Sequence, residues 1–385
     1  MAKRLFKTFV CCLLIIGLSG CWNSRELDKL GIVMGAGIDK ADEPGKIRFI
    51  AQTVRPGAIQ SAGKGAGGEE KAFWNVEETG NTVFSAIRDT TGKSSRKLYF
   101  PHCQVLVFGS SIAEEGILPY LDFFLRDHEN RLNVWIAIAE NKAGEVLDVE
   151  PKFEKIPANN IAKVIEGQGH YSPRAVPVRL RDFKARSLSK TTAPIAPIIG
   201  ISGKDDKKET EIKGTAVFKD GRMIGKLDAK ESKGLLWALG ELKGGIIEVK
   251  SEEGNYAAFE IIRVKSGFKT EVKDGKVKIN VSVLEEGNLG EQAGPENLTK
   301  PAAVDFLEKQ KAQAIKDEIM SAVKKAKELN ADIFGFGDAV QREHPKEWEN
   351  MEKDWYKIFT TIEVNVEVRT KVRLVGRISR PSVPQ

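Results

Sequence analysis

The chain has 385 residues, with 60 Lys and Arg against 54 Asp and Glu, for a formal net charge of +6. That length holds two or three domains, each large enough to bury its own core. Charges of both signs are interspersed, which speaks against nucleic acid as a partner, and beyond the first twenty residues no stretch is apolar enough to span a bilayer.

Lys3, Arg4 and Lys7 precede an apolar run over 9–18, and Leu18-Ser19-Gly20-Cys21 closes it. A basic front, a short apolar middle and a small-residue exit make a secretory signal. The run is shorter than the roughly 20 residues a spanning helix needs. A cysteine directly after the small residues is how a bacterial lipoprotein signal ends. The expectation is that 1–20 is removed and that Cys21 opens the mature chain with an S-diacylglyceryl and an N-acyl group. Two or more chains anchor stably where one is marginal. An ordinary cleavage site followed by a chance cysteine is the alternative. Cys11 and Cys12 leave with the signal, so Cys103 has no partner for an intramolecular disulfide, and the exported chain must be held by its core. Loss of Lys3, Arg4 and Lys7 leaves 57 basic against 54 acidic residues.

A polar stalk over 22–29 leads to a strand over 30–39 and a second over 47–54, rich in β-formers. Five glycines within 57–71 read as a mobile loop. A helix is expected over 77–90, a strand over 98–108 and one amphipathic helix over 112–126, on which Ile117, Leu118, Leu121, Phe124 and Leu125 form a stripe. A buried strand over 132–139 follows. The proline-bearing stretch 152–197 reads as irregular, and the charged stretch 203–213 as a linker or exposed loop. Asp220-Gly221 then joins strands at 215–218 and 223–227 as a hairpin. Asp228 and Glu231 have capping-box spacing and open a helix through Leu239. Strands are expected at 246–250, 257–264 and 268–272. Asp274-Gly275 turns into 276–284, where Val277, Ile279, Val281 and Val283 alternate with polar residues, as in a sheet with one wet face. Pro301 starts a helix over 301–330, a rod of about 43 Å. A long amphipathic strand or hairpin over 362–374 closes the chain before Pro381 and Pro384. The expected class is α+β, with twisted, mostly antiparallel sheets and one long helix in the C-terminal half. The expected division is a signal at 1–20, an N-terminal α/β domain at 21–197, a middle α+β domain at 198–266 and a C-terminal α+β domain at 267–385.

No catalytic motif emerges. Gly35-Ala36-Gly37 follows a strand but lacks the third glycine and the helix of a dinucleotide site, so close packing explains it better. His102, His128, His170 and His344 have no partner at metal-ligand spacing. No serine sits in a nucleophile elbow, and there is no phosphate-cradling loop. Glu114-Glu115 and Glu285-Glu286 read as solvated pairs. Cys103 reads as a small buried hydrophobe. No cofactor or metal is expected, and there is no positive case for an enzyme. In the run 331–337, Phe334 and Phe336 plug core pockets while Gly335 and Gly337 permit the turn; an exposed partner-binding knob is the alternative.

Cys21-Trp22, Arg25-Glu26-Leu27, Gly35 to Asp39, Leu121 to Asp127, Gly214 to Phe218, Ala331 to Gly337 with Pro345-Lys346 and Trp348, and Gly376 to Ser379 follow one another along the chain. In that order they resemble the GerAC-type spore germination lipoproteins, the C subunits of nutrient germinant receptors. The glycine-rich insertion at 57–71 and Cys103 after Pro101-His102 depart from the pattern. The resemblance implies a three-domain, non-catalytic lipoprotein on the outer face of the inner spore membrane of a Gram-positive spore former. It implies two integral membrane partners, the A and B subunits, and contact with the bilayer through Cys21, the only functional position carried over. A solute-binding lipoprotein feeding a transporter is the alternative function, and it requires a deep interdomain cleft. An exported envelope enzyme is a third possibility, and it requires a catalytic constellation within a pocket.

Overall fold

The computed structural model describes residues 1, 3–4, 26–61, 71–204 and 207–374. Cys21, most of the signal, the glycines at 63–68 and the segment 376–379 with Pro381 and Pro384 lie outside the described residues.

The first sheet begins with β1 (Leu30–Lys40), which turns back through Gly45 into β2 (Ile47–Val54), both as expected. A short α1 (Pro56–Ser61) opens the glycine-rich segment. β3 (Phe73–Gly80) then pairs antiparallel with β2. The first four residues of the helix expected over 77–90 are therefore strand. The helix starts only at α2 (Val83–Asp89), because Thr82 and Ser85 form a reciprocal capping box that fixes its first turn. The strand expected over 98–108 is two strands, β4 (Lys97–Tyr99) and β5 (Val105–Gly109), parted by a turn at Pro101-His102. The helix expected over 112–126 is likewise two, α3 (Ser110–Glu115) and α4 (Leu118–Arg126). Gly116 sits between them at φ +126°, where only glycine is at ease, and breaks the axis.

β6 (Trp135–Ala139) follows, then α5 (Ala143–Asp148), α6 (Pro157–Gly167) and α7 (Leu180–Leu188). The stretch 152–197 is thus far from irregular. Pro157 occupies the first turn of α6, where a missing N–H costs nothing. β7 (Ile195–Ser202), β8 (Glu209–Lys219) and β9 (Arg222–Leu227) complete the sheet. The charged stretch 203–213 is a linker only in part, since 209–213 belongs to β8. The sheet order is β3-β2-β1-β5-β6-β7-β8-β9, with β4 beside β1. Its centre, β1-β5-β6-β7, is parallel because helices return the chain between those strands; its flanks are antiparallel hairpins.

After α8 (Ala229–Leu239), capped by Asp228 and Glu231 as expected, β10 (Ile246–Lys250) opens a second sheet of four strands. β11 (Tyr256–Lys273) and β12 (Lys276–Gln292) form one long hairpin around Asp274-Gly275, merging the two strands expected at 257–264 and 268–272. α9 (Pro301–Glu328) packs along this sheet. Beyond it come α10 (Phe336–Glu343), α11 (Pro345–Met351), α12 (Trp355–Phe359) and β13 (Glu363–Val372). β13 is a single strand, parallel to β12. The expected divisions at 197/198 and 266/267 fall inside β7 and β11.

One large core runs from the α2, α3, α4 and α7 face of the first sheet without interruption into the second sheet. A smaller core lies on the opposite face, under α5 and α6. Gly35 and Gly37 let those helices lie directly on β1, since a Cβ at Gly35 would come within 2.6 Å of Ala158 and one at Gly37 within 2.9 Å of Leu147. Close packing is therefore the role of the Gly35-Ala36-Gly37 run. Near the end of the same strand lies Asp39, whose carboxylate accepts the amides of Ala143 (2.7 Å) and Gly144 (2.9 Å) and so fixes the start of α5.

Candidate functional site at the junction of the two sheets

The run 331–338 sits where the sheets meet, directly after α9. Asp332 is fully buried. Its Oδ1 accepts the backbone amides of Phe334 (3.2 Å), Gly335 (2.9 Å) and Phe336 (3.1 Å). Its Oδ2 accepts the Gly337 amide (2.8 Å) and the Trp355 indole N–H (3.2 Å). One side chain thus organises a loop, the first turn of α10 and the start of α12. Burial pushes the Asp332 carboxyl up to about 6, while three of the amides and the indole pull against that rise.

The same loop grips the first sheet. Thr192 and Asp332 form a parallel β-bridge, and the Ala193 amide donates to the Asp332 carbonyl at 2.8 Å. Asp338 at the start of α10 accepts the hydroxyls of Thr191, of Thr192 at 2.7 Å and of Ser189 at 3.2 Å. From α7, the Arg186 guanidinium donates to the carbonyls of Ala193 (3.1 Å) and Ile333 (3.0 Å), one on each side of the junction. Burial lowers its pKa, and Glu241 and Asp332 oppose the fall. Gly337 admits this contact: a Cβ there would lie 2.6 Å from the Thr191 Cβ and 2.7 Å from the Trp355 ring.

Phe334 and Phe336 stack at 4.8 Å, nearly parallel, and Phe268 of β11 meets Phe336 edge-on at 5.1 Å. Both rings of the run are buried, so it is a plug and not an exposed knob.

A second buried charge lies under α9. Lys311 and Glu285 are both fully buried and meet at 2.8 Å, off hydrogen-bond angle, with the ammonium 4.7 Å from the Phe259 ring. Burial raises the Glu285 pKa, with Lys311 pulling it down. The expectation of a solvated Glu285-Glu286 pair is therefore wrong for Glu285, and Glu286 instead pairs with Arg373 at 2.6 Å. Strand alternation turns Glu285 inward, and no local signal in the sequence announces its partner 26 residues on.

The four histidines stay apart, and no group of three or more His, Cys, Asp or Glu able to hold a metal occurs among the described residues. The Cys103 thiol is pushed up to about 12 by burial. A groove of about 650 Å³ runs between His170-Tyr171 and the β10–β11 edge. A cleft of about 520 Å³ beside Asp39 is lined by charges of both signs, Arg48 and Lys142 among them. No described helix is long and apolar enough to cross a membrane.

The geometry defines a class first: a two-sheet α+β protein whose halves share one core and are latched by a buried, amide-wrapped aspartate. A family model for the spore germination protein N-terminal domain matches residues 23–201, and one described as spore germination B3/GerAC like, C-terminal, matches 213–376. Spore germination protein KC of Bacillus subtilis (strain 168) is 27% identical over 99% of this chain and 98% of its own length. Spore germination protein A3 of the same organism is 26% identical, with 98% of each chain covered. The crystal structure of the GerBC protein superposes with a TM-score of 0.58 at 19% identity, over 88% of this chain and 96% of that one, and shares the fold. The chain belongs to the GerAC-type family of spore germination proteins.

Proposed function

We propose that this chain is a non-catalytic subunit of a nutrient germinant receptor. Through lipid on Cys21 it is tethered to the outer face of the inner spore membrane, where it works with two integral membrane subunits. The observation that carries the reading is the end-to-end match to germination proteins, in both halves and in order. The latch supports it: a body locked across two sheets suits a part that transmits or stabilises a state of a larger assembly. Replacing Cys21 by Ala is expected to release the protein from spore membranes and to slow germination with nutrients. Unchanged fractionation contradicts the tether. Release with unchanged nutrient germination contradicts the receptor role.

A further inference from the structure

The end of the first sheet where β1 begins exposes apolar side chains from four separate segments. Phe153 is 97% exposed, Leu27 73%, Trp74 42% and Ile59 37%. Single exposed hydrophobes are ordinary; a set gathered at one end, including a phenylalanine in contact with almost nothing, marks an interaction surface.

These segments are neighbours. Gly31 at the start of β1, Ala58 of α1, Trp74 of β3 and Arg96 line one surface pocket of about 320 Å³. Lys155 donates to the Ile59 carbonyl at 3.1 Å and so holds the Phe153 loop against α1. Lys152 pairs with Glu209 and Glu154 with Lys163, so the charges beside Phe153 are of both signs, while Arg96 lines the pocket next to Trp74.

The chain itself says what covers this end. Leu27 lies six positions after Cys21. Fully extended, that span reaches at most about 21 Å. Resting on the tether reading above, a lipid on Cys21 keeps this end, ahead of every other part of the fold, within that distance of the headgroups. Exposed aromatic and aliphatic side chains are what the boundary between headgroups and acyl chains accepts.

We propose that Phe153, with Leu27, Ile59 and Trp74, forms a bilayer-docking face that seats in the headgroup boundary beside the Cys21 lipid. The lipid confines the protein to the surface, and the high local concentration makes a weak second contact effective. Docking fixes the orientation of the first sheet relative to the membrane, which a single flexible tether cannot do.

The test uses the lipidated full chain in protein-free vesicles. Phe153→Cys and, at the β11–β12 turn, Lys276→Cys are each introduced together with Cys103→Ser, because Cys103 is only partly buried, and labelled with an environment-sensitive fluorophore; both sites are exposed. The expected result is a several-fold rise in emission at position 153 and quenching by lipids with a nitroxide near the headgroup, with neither at 276. Vesicles that carry the chain but leave position 153 unquenched, or quench 276 instead, overturn the docking face and leave the tether standing. A chain that does not float with vesicles at all sinks both.

Discussion

Asp332 and Glu285 are both fully buried acids in one continuous core, yet they are accommodated by opposite means. Asp332 is wrapped by four amides and an indole, all neutral and all fixed by the backbone that the carboxylate itself organises. Glu285 is met by one opposite charge at the end of a long lysine. The first arrangement spreads the charge over several donors and shapes a loop. The second balances one desolvated ion against another and shapes nothing beyond its own cavity. A carboxylate can therefore be buried as an organiser or as half of a pair, and removing it has different consequences in each case.

The contrast is broken most severely at Asp332. Asp332→Ala is expected to destabilise the chain by about 4 kcal/mol in urea unfolding, since each buried donor left without a partner costs about 1–3 kcal/mol. A loss under 1 kcal/mol, on the order of one surface pair, would show that the loop holds itself. Lys311→Met is expected to cost about 3 kcal/mol, because it strands Glu285. The double replacement Glu285→Leu with Lys311→Met should return to within about 1 kcal/mol of the parent. No such rescue is available at Asp332, and a double variant as unstable as the single one would erase the distinction. Gly337→Ala, which pushes a methyl against Thr191 and Trp355, is expected to cost about 2 kcal/mol, with the thermal midpoint falling accordingly.

The smallest effect lies at the rim of the junction. Glu343 accepts both the amide (2.9 Å) and the hydroxyl (2.7 Å) of Thr270, which hold its pKa below the ordinary glutamate range. A lowered carboxyl contributes stability above its unfolded pKa of about 4.3 and loses it as pH falls below that value. Glu343→Gln is therefore expected to cost about 0.5 kcal/mol at neutral pH. The difference from the parent should shrink as pH falls from about 4.3 through the lowered folded pKa, read in paired unfolding curves.

Much of the fold was legible where local chemistry decides structure. The Asp220-Gly221 and Asp274-Gly275 turns, the Asp228–Glu231 cap, the alternation through Val277 to Val283 and the long helix after Pro301 all stand. Reading failed where context overrides pattern. Glu77, Glu78 and Thr79 look helical, but they form an edge strand because β2 offers a partner. Pro157 looked like a breaker and is a helix start. At the junction, the buried aromatic plug could be read from Phe334 and Phe336 between glycines. The role of Asp332 has a local signal too, an aspartate followed by glycines three and five residues on, which suits a carboxylate that gathers successive amides. Asp338 and Thr191 lie 147 residues apart, and nothing near either announces the other.

The bridge between Thr192 and Asp332 also determines how the body can move. Stitched through a backbone pair and an arginine that grips both sides, and sharing one core, the two sheets are held against a clamshell opening. Torque applied at the far tip of the β11–β12 hairpin is therefore expected to tilt the body as a unit, as a lever turns, and not to close one half on the other.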